Sequence, residues 1–341
     1  MKQSKTLQPK SRPMVWAGCD LAKASFEVAV WGHEAWPDMG VKSFLRTKDA
    51  APSFLAWLKE QAPTDASFGL VMEATGTFAD ELAVWLLALD ASLHIAIVNP
   101  GRTSAFIRSL GLRNKTDSLD AKALARYGAE RNPIAWEKPT RDMSELKDLV
   151  RTRLEVVEAR VAMNLRLEDH AHLAPVARTA LTHIIRTLER QIELLEAAIR
   201  SHLAHHEAMK HAVARMKSIK GVGLLTAVTV LVELGDLTRF VKSRQLSAFA
   251  GLSPQRRESG TSIRGQSHLC KQGSARARAV LYMAALTAIR CNSDMKATYD
   301  RLMAQGKHPR SARGAVMRKL LVLMRAVLKA DHDWVPRIEA A

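Results

Sequence analysis

Asp20, Glu73, Asp117 and Asp120 are the side chains whose type and spacing best suit chemistry. Asp20 falls late in one apolar run (residues 15–22) and Glu73 directly follows another (residues 68–72). A lone carboxylate in such a place is costly unless something compensates its charge. Asp117 and Asp120 are three residues apart, hence on one face of a helix. Clustered carboxylates repel one another unless cations sit between them. Two Mg²⁺ ions about 3.5–4 Å apart on such oxygens stabilise both the attacking and the leaving oxygen of an in-line phosphoryl displacement. The bland alternative is local: Asp117 as a helix N-cap with Asp120 at the third helical position, an arrangement that needs no metal.

A second constellation is GLSPQRRESGTSIRG, residues 251–265, where Ser259 lies in a glycine-flanked loop with Arg256, Arg257 and Arg264 close in sequence. A serine hydroxyl attacking a phosphodiester needs its phosphate pinned and the growing charge offset, which guanidinium forks do. Ser253, Thr261 and Ser262 compete for the role, and an ordinary loop serine is the alternative. Upstream, Lys220, Gly221 and Gly223 belong to a Gly-Val-Gly turn between two apolar helices. Backbone N–H groups of such a turn can hold a DNA phosphate at a helix N-terminus without reading sequence; a plain interhelical turn is the alternative.

For the carboxylates to meet, the chain up to about residue 135 must fold as α/β. Strand-like runs at 15–22, 25–31 and 41–45 precede a helix at 51–61. A strand at 68–72, a helix running to Leu89, and a strand at 93–98 stopped by Asn99-Pro100 come next. Helices at 103–110 and 117–130 complete the pattern, a mixed sheet with helices. In an open α/β sheet neighbouring strand ends converge on one edge, so Asp20 and Glu73 can approach although 53 residues apart. Tryptophans concentrate in this part and are assigned mainly to the core. From about 142 to 209 the chain reads as long helices with a turn at Pro175. Leu181, Ile184, Leu188, Ile192, Leu195 and Ile199 keep coiled-coil spacing, which suits either intramolecular pairing or dimerisation. Seven histidines between His170 and His211 read as helix-surface side chains rather than metal ligands.

Composition narrows the partner. The 341 residues carry 51 Lys+Arg against 34 Asp+Glu, a net charge of +17. That surplus favours a polyanion, and nucleic acid is the commonest one. Within residues 241–290 nine basic side chains face one acid, Glu258, which marks a backbone-binding surface that includes Lys271, Arg276 and Arg278. Three scattered cysteines exclude a disulfide scaffold and a thiolate zinc site. No apolar stretch reaches the roughly 20 residues of a membrane span, and the basic start has no signal-peptide core, so a cytoplasmic protein with no membrane partner is expected.

GCDLAK (18–23), EATGT (73–77), NP (99–100), GLRNKTDSLDA (111–121), IKGVG (219–223), AFAGLSP (248–254) and ESGTSIRG (258–265) together resemble the DEDD-type transposases of bacterial insertion sequences, the IS110 family. The resemblance runs in order over residues 14 to 330, with Cys19 standing where an aliphatic residue is more usual. It implies an RNase H/RuvC-like domain (14–141), a coiled-coil insertion (142–212) and a helical C-terminal transposase domain with a helix-hairpin-helix-like element (213–330), flanked by tails at 1–13 and 331–341. It also implies that Asp20, Glu73, Asp117 and Asp120 ligate Mg²⁺, with Mn²⁺ as a substitute. Ser259 matches the family's nucleophile, which forms a transient phosphoserine bond to DNA. Expected partners are element-end and target DNA, a structured guide RNA encoded beside the gene, and further copies of the chain as a dimer or tetramer. Lys115, in the 111–121 motif, joins the expected nucleic-acid contacts. The resulting expectation is a recombinase that excises and inserts its element, with the carboxylates and Ser259 forming one composite site. A metal-dependent junction nuclease using water, and a non-catalytic basic binding protein, are the alternatives.

Overall fold

The computed structural model describes residues 14–31, 39–62, 66–74, 76–111, 116–169, 173–255, 258–259, 263–264 and 268–336. The chain divides into two compact units, residues 1–138 and 139–341.

The first unit is built on a five-stranded sheet of order β3-β2-β1-β4-β5. Its strands are β1 (Met14–Leu21), β2 (Ser25–Trp31), β3 (Met39–Leu45), β4 (Ser67–Glu73) and β5 (His94–Val98). β1 to β3 form an antiparallel meander, whereas β1, β4 and β5 run parallel. The mixed sheet is the one expected, and its order is consistent with an RNase H-like fold.

Period-two alternation sorts the strands' side chains between two helical layers. Val15, Ala17 and Cys19, with Leu70 and Met72, pack on the side of α1 (Ala51–Glu60) and α2 (Phe78–Leu89), against Phe54, Leu58, Leu82 and Leu86. Trp16, Val71, Ala96 and Val98 pack on the other side, with Phe106 of α3 (Pro100–Ser109) and Leu124 and Tyr127 of α4 (Asp117–Arg131). Burial first, and the Asp20 charge second, push the Cys19 thiol far up, so Cys19 is a small core residue rather than a reactive one.

The second unit begins with two long antiparallel helices, α5 (Arg141–Asp169) and α6 (Pro175–His205), tied by an Arg153–Glu196 ion pair at 2.8 Å. The side chains of α6 that bury are Leu181, Ile185, Ile192, Ile199 and Leu203. Ile184 is 46% exposed. The seam therefore runs through Ile185, not Ile184, because steps of four and three from Leu181 to Leu188 reach the second of two adjacent isoleucines. The root of this pair, Leu146, Val150, Ile199 and Leu203, lies in one core with the rest of the unit. Residues 142–212 thus share their hydrophobic core with the helices that follow.

Those helices are α7 (Glu207–Lys217), α8 (Leu224–Leu234), α9 (Ser243–Phe249), α10 (Ala275–Cys291), α11 (Ser293–Ala304) and α12 (Pro309–Ala330). After α12, Asp333 and Asp331 pair with Arg215 at 2.9 and 3.3 Å, and the Trp334 amide donates to the Ser218 hydroxyl. The stretch just past residue 330 is therefore tied to the body of its unit. Among the described residues no helix is long and apolar enough to cross a membrane.

Candidate active site

Asp20 and Glu73 stand at adjacent ends of β1 and β4. The parallel register pairs Gly18 with Val71 and Cys19 with Met72, so the next position along brings Asp20 level with Glu73. Asp20 shares its sheet face with Trp16 and Gly18, and Glu73 shares its own with Val71, which is the α3–α4 side in both cases.

Helix α4 lies across that face with its backbone almost on the strand. A Cβ at Gly18 would meet the Ala121 carbonyl oxygen at 2.1 Å and the Ala125 nitrogen at 2.3 Å, and one at Gly128 would meet Trp16 at 2.4 Å. Trp16 opposite Gly128 and Gly18 opposite Ala121 fix α4 as antiparallel to β1. Its first turn, with Asp117 and Asp120, consequently points toward the Asp20 end of the strand. The cap of that turn is Thr116, whose side chain accepts from the Leu119 amide at 3.3 Å. Asp117 is the first helical residue and Asp120 the fourth, so neither fills the capping role weighed from the sequence. Negative charge in this first turn is favoured by the helix dipole.

Glu73 is held from the side. Asn99 caps α3 by accepting from the Gly101 amide at 2.8 Å, Pro100 opens the helix, and the fully buried Thr103 donates its hydroxyl to the Glu73 carboxylate. Thr103 was not singled out in the sequence. The signal was available: a threonine one turn into a helix that an Asn-Pro pair starts right after a strand. Arg46 fixes the turn that follows Asp20. Its guanidinium donates to the carbonyls of Lys23 (2.8 and 3.1 Å) and Ala22 (3.3 Å), pairs with Glu81 of α2 at 2.6 Å and lies over the Phe78 ring.

Hard oxygen donors at one sheet edge fit a hard divalent ion. Among the described residues, however, no group of three or more His, Cys, Asp or Glu is close enough to cage one. Mg²⁺ does not require such a cage, because it is commonly held by one or two carboxylates together with water and substrate phosphate. Asp20 and Glu73 meet that description at the sheet edge; Asp117 and Asp120 are brought to the same end of the layer without forming a caged group with them.

In the second unit the serine segment departs from a simple loop. Short antiparallel pairs, β6 (Pro254–Gln255) with β9 (His268–Leu269) and β7 (Glu258–Ser259) with β8 (Ile263–Arg264), make it an arm, with Ser259 opposite Ile263 in the outer pair. Arg256, Arg257, Thr261 and Ser262, like Lys115, lie outside the described residues, as do the side chains of Ser259 and Arg264.

The other basic positions behave differently from one another. Lys220 and Lys271 are exposed. Arg276 is partly engaged by Glu155 at 3.2 Å, and Arg278 donates to the Gly273 and Ala250 carbonyls at 2.7 and 3.4 Å. In the Gly-Val-Gly turn, Gly221 has φ +98° and a Cβ there would stand 2.6 Å from Ala288 of α10, so a packing requirement accounts for it. Gly223, the N-cap of α8, has open space around it.

Comparison with known proteins supplies the class. A family model described as "Transposase", of the DEDD type associated with IS110, matches residues 17–174, and one described as "Transposase IS116/IS110/IS902 family" matches residues 213–300. The "Pilin gene-inverting protein" of Moraxella bovis is 28% identical over 324 residues, 95% of this chain and 98% of its own. A "Putative transposase y4qE" of Sinorhizobium fredii is 27% identical, covering 76% of this chain and 65% of its own. The chain is thus a transposase, an enzyme that acts on DNA by cleaving it and transferring its strands. Both matching models describe IS110/IS116-type transposases, and the DEDD type matched over residues 17–174 generally uses divalent metal ions.

Proposed function

We propose that this chain is a site-specific DNA recombinase that excises and inserts an insertion sequence, with its carboxylate edge and its serine arm serving the same strand exchange. The observation that carries the reading is the level placement of Asp20 and Glu73 on adjacent parallel strands, facing the layer whose helix α4 starts with Asp117 and Asp120.

A divalent ion, Mg²⁺ or Mn²⁺, would supply charge neutralisation for the phosphate oxygens and lower the pKa of a bound hydroxyl. Asp20 and Glu73 would hold it, with Asp117 and Asp120 as its further ligands. Thr103 keeps the Glu73 carboxylate oriented, and Arg46 keeps the turn after Asp20 in place.

Ser259 is the nucleophile in this reading. Its hydroxyl gives up a proton and forms a new P–O bond while the DNA's own P–O bond breaks, and the released deoxyribose oxygen takes up a proton. The phosphoserine bond conserves the linkage for rejoining, so no external energy source is needed. Arg256, Arg257 and Arg264 neutralise the phosphate, and Lys115, Lys220, Gly223 and Lys271 contact nucleic-acid backbone. The name of the Moraxella bovis relative, a gene-inverting protein, supports rejoining at defined sites. A structured guide RNA and assembly into a dimer or tetramer, with the α5–α6 pair as a coiled-coil contact, complete the proposal.

The test is recombination of a plasmid bearing the element, scored for wild type, D20N, E73Q and S259A with and without EDTA. All three variants and EDTA should abolish product. Cleavage surviving in S259A would favour water as nucleophile, and DNA binding without any metal-dependent scission would reduce the chain to a binding protein.

A further inference from the structure

The arm that carries Ser259 leaves the helical unit at residue 250 and returns at residue 273. Its root is a backbone crossing. The Cys270 amide donates to the Ser253 carbonyl at 2.9 Å and the Lys271 amide to the Gly251 carbonyl at 3.1 Å. A Cβ at Gly273 would stand 2.3 Å from the Phe249 carbonyl oxygen, so the two chain ends are as close as backbones come. Arg278, one turn into α10, reaches under this crossing. Its Nη1 donates to Gly273 O on the returning chain at 2.7 Å and lies 3.4 Å from Ala250 O on the departing one. Gly251, at φ +73°, leaves room for that nitrogen; a Cβ there would be 2.8 Å from it. Partial burial pulls the Arg278 guanidinium below the usual arginine value.

We infer that Arg278 is the positioning residue of the serine arm: by joining the departing and returning chains at the root, it sets the direction in which Ser259 is presented to DNA. This rests on the reading of Ser259 as nucleophile. Both carbonyls are addressed by one nitrogen whose two N–H directions the planar guanidinium fixes, whereas an ammonium on a flexible stem rotates freely and holds no such set direction. The neighbouring cap adds to the same root. Ser274 caps α10 by accepting from the Ala277 amide at 3.2 Å, and donates to Glu233 at 2.8 Å. Arg278 is therefore assigned to aiming the arm rather than to a phosphate contact.

The full chain with an element-end duplex tests this through R278K and R278Q. In R278K, amides of Cys270 and Lys271 should exchange at least about tenfold faster while those of α8 and α12 keep their protection. Covalent adduct formation at saturating DNA should fall by about tenfold or more, since a small misplacement of a reacting group is enough to cost that much. The DNA concentration for half-saturation should stay within about twofold, and the salt dependence of binding should keep its slope in both variants. G251A, which crowds the guanidinium from the other chain, should reproduce the pattern and stands in if R278K lowers the unit's overall protection. A slope reduced by about one unit in R278Q would make Arg278 a phosphate contact and overturn the inference. Wild-type exchange at Cys270 and Lys271 in R278K would overturn the clamp alone. Adduct formation persisting in S259A would overturn the nucleophile reading, and with it the aim assigned to Arg278.

Discussion

At the carboxylate edge, Asp20 and Glu73 issue from the middle of a five-stranded sheet, level with each other on adjacent parallel strands and backed by a helix in backbone contact. Ser259 instead stands on a strand pair two residues long, and among the described residues the bonds that close its arm lie at the root. The first arrangement is over-determined: register, the Gly18–α4 approach, the Thr103 hydroxyl and the Arg46 guanidinium all constrain the same edge. The second depends on a few bonds around Gly251, Gly273 and Arg278. If the proposed metal reading holds, so rigid an edge suits oxygens whose geometry must be kept.

This contrast can be broken at either end. The largest effect is expected at the edge itself. D20N or E73Q, each removing one charge without changing volume, should lower strand cleavage by about 100-fold or more with the melting temperature unchanged. Cleavage within a few fold of wild type would remove the edge from the chemistry.

Next comes the packing that builds it. G18A drives a methyl group into the α4 backbone, and an overpacked core of this kind loses about 1–3 kcal/mol; the drop is read as a lower unfolding midpoint in denaturant. An unshifted midpoint would show that α4 can back away from β1. T103V keeps the shape and deletes the donor to Glu73. A residue supporting a metal ligand in this way is worth about 10-fold in activity or metal affinity, so the metal concentration for half-maximal cleavage should rise by that order.

The smallest effect concerns acid stability at the arm's root. Burial works to raise the Glu233 pKa, but bonds from Arg151 at 2.8 Å and from Ser274 outweigh it and hold the carboxyl below its usual value. A depressed folded-state pKa stabilises above the unfolded value, about 4.3 for Glu, and that contribution is lost as pH falls through the folded one. Thermal unfolding of E233Q should therefore vary less steeply with pH than wild type below about pH 4.5. Parallel acid limbs would show that the Glu233 bonds contribute nothing to folding.

The edge is more legible in the sequence than the arm, for physical reasons. Strands bracketed by turn residues, such as Phe68 to Glu73, announce themselves through burial on both faces, and a carboxylate at such an end is conspicuous. Thr103 is marked in the sequence only by its place after Asn99-Pro100, because its partner Glu73 is distant in sequence and a helix-interior threonine is commonplace. Thr116 adjoins Asp117, an equally good cap by residue type, and the bond it accepts from the Leu119 amide is what distinguishes them. Ile184 and Ile185 cannot be ranked by composition; the partner helix chooses between them. The break between α6 and α7 at His206 has no glycine or proline to mark it. In the arm, two-residue pairs are too short for any periodicity to show, so a loop was the natural expectation. Arg278 reads as one more positive charge in a basic stretch until its carbonyl partners are seen.

The most direct examination of the whole account is crystallographic: the chain bound to an element-end duplex in Mn²⁺, with the ion located by its anomalous scattering. A peak is expected within coordination distance of both the Asp20 and Glu73 carboxylates, beside the first turn of α4. A DNA-bound structure with Mn²⁺ elsewhere, and those two carboxylates ligating nothing, would contradict it.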